Sequence, residues 1–398
     1  MLIMSTFMQS FFSLVSLILS CLLHDVVAFD NSRKDNLAVY WGQDSAGNQK
    51  SLSFYCADDT IDVFPLAFLY IFRGTGGEPV IDLANICNQW DDPVFPGTAL
   101  ANCSFLASDI KECQSKGKLV TLSLGGATGE IGFSSDSQAQ SFADQIWNLF
   151  LGGSSTIRPF GDAVLDGLDL DIESGTPAHY AAFVNRIRSL ANETVNLNET
   201  ASAQNTNGTD LSTSLKDSTG LHNSTSDKNA TSNKYYYITA APQCPFPDAY
   251  IGAALNEAPF DAVYVQFYNN YCGLDQPSEY NFATWDNWAK TQSANPNIKV
   301  YIGAAGSSDS AGEGYVDADT VMNYVIGAQE QYSSFGGVML WDASTAYTNN
   351  RFDLALKTAM VASAEKLFPN EVLRNDSTTV TKTALVKEPR VKSRVFRE

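Results

Sequence analysis

Histidine is scarce in this chain of 398 residues, which holds three. With so few imidazoles, and with no cysteines at the two-residue spacing of a zinc site, neither a metal nor any other cofactor is expected. Basic residues are also in short supply: 25 Lys and Arg face 44 Asp and Glu, for a formal net charge of −19. That balance excludes the electrostatic footprint of a nucleic-acid or anionic-polymer binder and leaves a neutral ligand open. Long apolar runs are confined to the start. Residues 10–23 are nearly all apolar or small, and Val26-Val27-Ala28 supplies small residues for a cleavage site, so residues 1–28 read as a secretory leader with Phe29 as the first mature residue. An uncleaved anchor is the alternative. No later run approaches the ~18 apolar residues of a membrane span. The mature protein is therefore expected outside the cytosol, secreted to the exterior or the cell wall, without membrane association once the leader is removed.

Of the seven cysteines, Cys21 falls inside the leader, leaving Cys56, Cys87, Cys103, Cys113, Cys244 and Cys272. An even number suits an oxidising compartment, although the sequence alone does not choose among the pairings.

What the chain does have is a row of acids at Asp166-Gly167-Leu168-Asp169-Leu170-Asp171-Ile172-Glu173. Side chains on a strand alternate faces, so Asp169, Asp171 and Glu173 share one wall while Leu168, Leu170 and Ile172 face the other way. Neighbours on that wall sit ~6–7 Å apart at Cα. In a shielded place they cannot all ionise cheaply, so the row should hold a proton near neutral pH and titrate as a coupled set. Glu173, last on the strand, is poised to donate it. A solvated edge strand would give the same alternation. A calcium loop counted from Asp169 fits poorly, because Ser174 stands where Gly is wanted and Tyr180 where Glu is wanted.

Eight short β-rich runs recur at residues 36–41, 61–70, 118–125, 165–171, 235–241, 261–268, 297–304 and 336–342. Helical patterns lie at 105–116, 137–151, 177–191, 281–292, 317–332 and 351–366. This alternation predicts an α/β fold, a single-domain (β/α)8 TIM barrel over residues 29–368, with its site at the carboxyl ends of the strands. The residues at those ends are candidates for one mouth: Tyr40, Trp41 and Gln43; Phe68 and Tyr70; Gly125 and Gly126; Glu173; Gln266, Tyr268 and Asn269; and Trp341.

The eight-residue acidic string resembles the D-x-x-D-x-D-x-E signature of family 18 glycoside hydrolases, the chitinases and their relatives. The strings YWGQ at 40–43, AAPQCPFPD at 240–248 and QFYNN at 266–270, with Trp341, resemble the plant-type (class III) and yeast endochitinase subgroup. The resemblance spans about residues 36–365 apart from one insertion. It implies the disulfides Cys56–Cys113, Cys87–Cys103 and Cys244–Cys272, and a chitin or N-acetylglucosamine oligomer as substrate for a monomeric enzyme.

Family 18 is an exception to the two-carboxylate rule of glycoside hydrolysis, because the substrate assists. The resemblance then gives Glu173 the role of general acid and base, and has Asp171 orient the acetamido N–H. Asp169 would tune Asp171 through a shared proton, and Tyr268 would donate to the acetamido group. Tyr40, Gln43, Phe68, Gly125, Gly126, Gln266, Asn269 and Trp341 are the implied substrate contacts, with Trp341 as the floor. The alternatives are a non-catalytic chitin-binding or inhibitory barrel and an endo-β-N-acetylglucosaminidase or lysozyme-like enzyme.

Residues 192–233 form a polar insertion with N-glycosylation sequons at Asn192, Asn198, Asn207, Asn223 and Asn229, read as a disordered, sugar-coated excursion at the amino-terminal face. Sequons at Asn102 and Asn375 are weaker candidates. The last twelve residues carry five basic and two acidic side chains and read as a solvated tail.

Overall fold

The computed structural model describes residues 28–205 and 234–369. The leader, the sequons at Asn207, Asn223, Asn229 and Asn375, and the basic tail lie outside the described residues.

All eight β-rich runs form strands of one barrel. In chain order these are β1 (Asn36–Val39), β2 (Val63–Ile71), β4 (Leu119–Gly125), β5 (Gly167–Asp171), β6 (Tyr237–Ala240), β7 (Ala262–Gln266), β8 (Lys299–Ala305) and β9 (Phe335–Trp341). An additional two-residue strand, β3 (Val80–Ile81), pairs antiparallel with the end of β2. Every other pairing is parallel. The ring runs β1-β9-β8-β7-β6-β5-β4-β2, and the pairing of Ala38 with Val63 closes it.

Alternation along the strands separates two apolar layers. Leu37, Val39, Leu168, Leu170, Ile172, Val263 and Val265 point outward into the layer between barrel and helices. Ala38, Tyr40, Val63, Ala67, Tyr264, Tyr268, Tyr301 and Met339 point inward and fill the lumen. Each fully buried Leu, Ile or Val contributes about 1.5–3 kcal/mol by leaving water. A one-residue slip in any strand would exchange the two layers, so the register is strongly fixed.

The helical patterns appear as α2 (Ala107–Ser115), α3 (Asp136–Phe150), α4 (Tyr180–Asn205), α6 (Phe282–Thr291), α7 (Ala318–Gln331) and α9 (Phe352–Leu367). Three short helices that the sequence reading missed are α1 (Leu52–Tyr55), α5 (Gly252–Glu257) and α8 (Ala343–Thr348). Helix α4 continues through Asn205, so the first part of the segment expected to be disordered from residue 192 is helical instead. Ala, Glu, Asn and Leu continue the helical spacing there without a Pro or Gly to stop it.

The cysteines pair as Cys56–Cys113, Cys87–Cys103 and Cys244–Cys272. Closing loops of these lengths contributes about 3–4 kcal/mol each in the chain-entropy picture.

The flanks of the insertion are pinned at the amino-terminal face. Arg188 donates to the Pro259 and Tyr236 carbonyls and to Asp261. Lys234 donates to the Val164 carbonyl and pairs with Asp166 at 2.9 Å. A variant lacking 196–230 is therefore expected to fold and to keep turnover within about twofold of the parent, since surface insertions are cheap to remove. Circular dichroism and an activity assay check this, and a folded but inactive variant would contradict it.

Candidate active site

Strand β5 carries its acids into the lumen because its leucines are claimed by the outer layer. Asp169 is fully buried and Asp171 nearly so, which rules out the solvated edge strand. Three hydroxyls hold Asp169: Tyr40 donates to Oδ2 at 2.7 Å, Ser123 to Oδ2 at 2.6 Å and Thr239 to Oδ1 at 2.7 Å. Ser123 and Thr239 reach it from β4 and β6 because both pair with Asp169 in the ladder. Burial pushes the Asp169 carboxyl up, and the three hydrogen bonds to its charged form oppose that push.

Asp171 and Glu173 act on each other. Burial raises the Asp171 carboxyl well above the usual carboxylate range, and the Glu173 and Asp169 charges add to the shift. Glu173, partly buried just beyond β5, is also raised by burial, and hydrogen bonds from Gln266, Asp171 and Gln243 temper the effect. Burial raises both carboxyls, and the Glu173 charge raises Asp171 further, so the pair retains a proton to higher pH than an isolated acid would. Both oxygens of Asp169 accept from hydroxyls, and its charge still bears on Asp171.

Gln266, on β7, donates to Asp171 Oδ1 at 2.9 Å and to the Ala241 carbonyl at 3.0 Å. Its amide thus ties Asp171 to the loop after β6. The Tyr40 hydroxyl likewise supports Asp169. Gln43 turns its amide nitrogen to the Gly42, Ala67 and Asp82 carbonyls and ties loops together. The Asn269 side-chain oxygen accepts from the Gly312 and Glu313 amides, anchoring the loop after β8.

Gly125, the last residue of β4, and Gly126 after it are closely packed by protein. A Cβ on Gly125, at φ 114°, would stand 2.2 Å from the Asp171 carbonyl oxygen, and one on Gly126 would meet the Phe68 ring at 2.8 Å. Gly125→Ala is expected to cost at least ~2 kcal/mol, since the clash is with backbone and the φ is unfavourable for any Cβ. Thermal melting checks this; an unchanged Tm would show that the β4–β5 spacing can relax.

Phe68 lies on β2 and Trp341 ends β9. Their rings stack at 5.7 Å and 19°, and Tyr40 packs on Trp341 at 5.5 Å. Trp341 is fixed from behind by Asp342, which caps α8 by accepting from the Thr345 amide and also accepts from the Ser45 amide on the loop after β1. Tyr268, two residues beyond Gln266, is buried beside the acids. Burial first, and the Asp171 and Glu173 charges next, push its phenol well up, so it stays protonated and able to donate.

Two residues of the site escaped the sequence reading. Gln243 donates to Glu173 Oε2 at 3.4 Å, and its own backbone N–H is held by Asp248. Asp248 is a buried carboxyl, raised by that burial, whose charge in turn bears on Glu173 and Asp171. The signal for both lay in the AAPQCPFPD string, which places them on the loop after β6. A surface cavity of about 1150 Å³ lies elsewhere, on the outer wall among α3, α4 and α5. Nothing in its lining matches the chemistry concentrated at the mouth.

A sequence model described as "Glycosyl hydrolases family 18" matches residues 36–334. The chain is 44% identical over 356 residues to "Chitinase 2" of Rhizopus oligosporus, covering 89% of this chain and 57% of that protein. It therefore spans little more than half of that relative's length. Among solved structures, the ICChI chitinase from Ipomoea carnea matches with a TM-score of 0.63 and 31% identity, covering 81% of this chain and 99% of the other. The xylanase and α-amylase inhibitor XAIP-II from Scadoxus multiflorus matches with a TM-score of 0.61 and 30% identity, covering 81% and 97%.

Proposed function

The chain belongs to the family 18 glycosyl hydrolases, and from that premise we propose that it is a secreted endochitinase, hydrolysing β-1,4 bonds between N-acetylglucosamine units with retention. The observation that carries the reading is the placement of Asp171 and Glu173 two residues apart at the open end of β5, both carboxyls raised by burial, with the buried Tyr268 phenol close enough to feel their charges.

A sugar resting on Trp341 presents its glycosidic oxygen to Glu173, which protonates it as the bond breaks. The 2-acetamido oxygen attacks the anomeric carbon, forming an oxazolinium ion and releasing the leaving sugar. Asp171 binds the acetamido N–H and offsets the positive charge, while Tyr268 donates to the acetamido oxygen. Glu173, now ionised, takes a proton from water as that water opens the oxazolinium ring, which restores the acid and retains configuration. Asp169 holds the row in place from below through its three hydroxyl partners. Its charge beside Asp171 favours leaving the shared proton on the Asp171–Glu173 pair.

Digesting an N-acetylglucosamine hexamer and following products by NMR tests the proposal. Early β-anomer from internal cuts is expected, and predominant α-anomer would discard the assisted route. The structural likeness to XAIP-II keeps one second reading in play, a sugar-binding or inhibitory barrel. Binding of the hexamer with no release of reducing ends would select it.

A further inference from the structure

On the amino-terminal face, away from the mouth, α4 and the segments leading into β6, β7 and β8 enclose a groove of about 450 Å³ whose lining includes Arg188, Asn192, Tyr235, Tyr236, Pro259 and Pro296. One ring stands out in it. Tyr235 is 57% exposed, a large aromatic surface left uncovered among the described residues. It is nevertheless held in place. Its hydroxyl donates to Asp261 Oδ1 at 2.6 Å, Tyr237 packs edge-on at 4.8 Å, and the Arg188 guanidinium lies 5.7 Å from the ring centre. The polar groups around the ring are engaged with protein. Arg188 donates to the Tyr236 and Pro259 carbonyls and to Asp261, Lys234 to the Val164 carbonyl, and the Asn295 amide to the Phe260 carbonyl at 2.7 Å. What the groove offers is a fixed aromatic surface, which suits a neutral ligand with a flat apolar side.

The rim supplies such a ligand's point of attachment. Asn192 follows Arg188 by one helical turn, so the two share the side of α4 that borders the groove. Arg188 reaches the Tyr235 hydroxyl at 3.5 Å from there. The Asn192 side chain is exposed, and among the described residues nothing hydrogen-bonds its carboxamide. Asn192-Glu193-Thr194 is also an acceptor sequon for N-linked sugar.

We propose that Asn192 carries an N-linked glycan whose first N-acetylglucosamine residues lie in this groove against Tyr235, bracing α4 to the entry of β6 on either side of the insertion. In the attachment step the Asn192 carboxamide nitrogen displaces a lipid diphosphate from the anomeric carbon of a lipid-linked oligosaccharide. The N–C bond forms, the C–O bond to phosphate breaks with its electron pair leaving on the diphosphate, and the nitrogen gives up one proton. The C–H face of the sugar is apolar and flat enough to lie on a phenol ring, and a ring already fixed by Asp261 and Tyr237 loses little entropy in receiving it. This modification rests on the secretion proposed above and is independent of the reaction at the mouth.

The test uses the full chain secreted from a eukaryotic host, as parent, Tyr235→Ala, Tyr235→Phe, Thr194→Ala and the two double variants. Thr194→Ala removes the sequon and keeps Asn192. Mass spectrometry of the peptide holding Asn192 reads occupancy, and thermal melting reads the coupling between sugar and ring. Asn192 is expected to be modified in the parent, and Tyr235→Ala to lower Tm by ~1–3 °C more in the glycosylated protein than in the Thr194→Ala background. Tyr235→Phe loses only the bond to Asp261, so its effect should be equal in the two backgrounds. A secreted protein with Asn192 unmodified would overturn the proposal. So would equal effects of Tyr235→Ala with and without the glycan, the result expected if residues 206–233 fill the groove instead. Should the chain's own leader fail to export it, the secretion reading falls, and the same body behind a proven leader still decides the groove. A glycosylated, coupled protein that cleaves no N-acetylglucosamine oligomer would sink the catalytic reading and leave the glycan seat standing.

Discussion

Glu173→Gln is expected to lower kcat on N-acetylglucosamine oligomers by at least about 100-fold, the lower end of what general acid catalysis contributes. The change keeps the side chain's size and can still accept the contact from Gln243, so the fold and the mouth should persist. What disappears is the transferable proton. Leaving-group departure then depends on water, and the later deprotonation of the attacking water loses its base. Binding at Trp341 and Phe68 should survive, so KM is expected to change far less than kcat, the pattern of an interaction made chiefly in the transition state. Initial rates by reducing-end release, with substrate binding measured by calorimetry on the same variant, separate the two. Near-parental kcat in a folded Glu173→Gln protein would remove Glu173 from the chemistry.

The fold was legible because alternating strands and amphipathic helices leave their periods in the sequence, and eight repeats leave little choice of closure. Chemistry at the mouth was legible only where a residue's own position determines its role. Glu173 stands at the end of β5 beside Asp171, and both facts are local. Tyr40, Gln43, Gln266 and Asn269 also hold protein partners that the sequence did not reveal, because most of those partners are distant in the chain. Tyr40 and Asp169 lie 129 residues apart, and Gln266 and Asp171 95 apart. Ser123 and Thr239 show what a finer reading needs. Both sit level with Asp169 in adjacent strands, so a correct register would have predicted them as its partners from sequence. Gln243 and Asp248 depend on a loop conformation that no periodicity encodes. The extension of α4 through Asn205 shows the converse, since polar composition argued for disorder while no Pro or Gly between 192 and 205 stops the helix.

Replacing Asp171 should separate its two contributions. Asp171→Ala removes both the group that would orient the acetamido N–H and the partner in the shared-proton pair, and a fall in kcat of about 100-fold or more is expected, comparable to loss of the acid itself. The pH profile is the sharper readout. In the parent, the last proton must leave a buried pair that becomes doubly charged, so the pair keeps it to raised pH and the alkaline limb of kcat/KM lies correspondingly high. Without Asp171, Glu173 loses its proton without creating a second adjacent charge. Its acid form then persists over a narrower range, and the alkaline limb of the residual activity moves to lower pH. Asp171→Asn gives a control, because an amide can still meet Glu173 and the Gln266 side of the site but cannot ionise. It should show the same downward displacement of the limb with a smaller loss of kcat. If either variant instead left the limb where the parent has it, the raised titration would belong to Glu173 alone, through burial, and the coupled proton would play no part in catalysis.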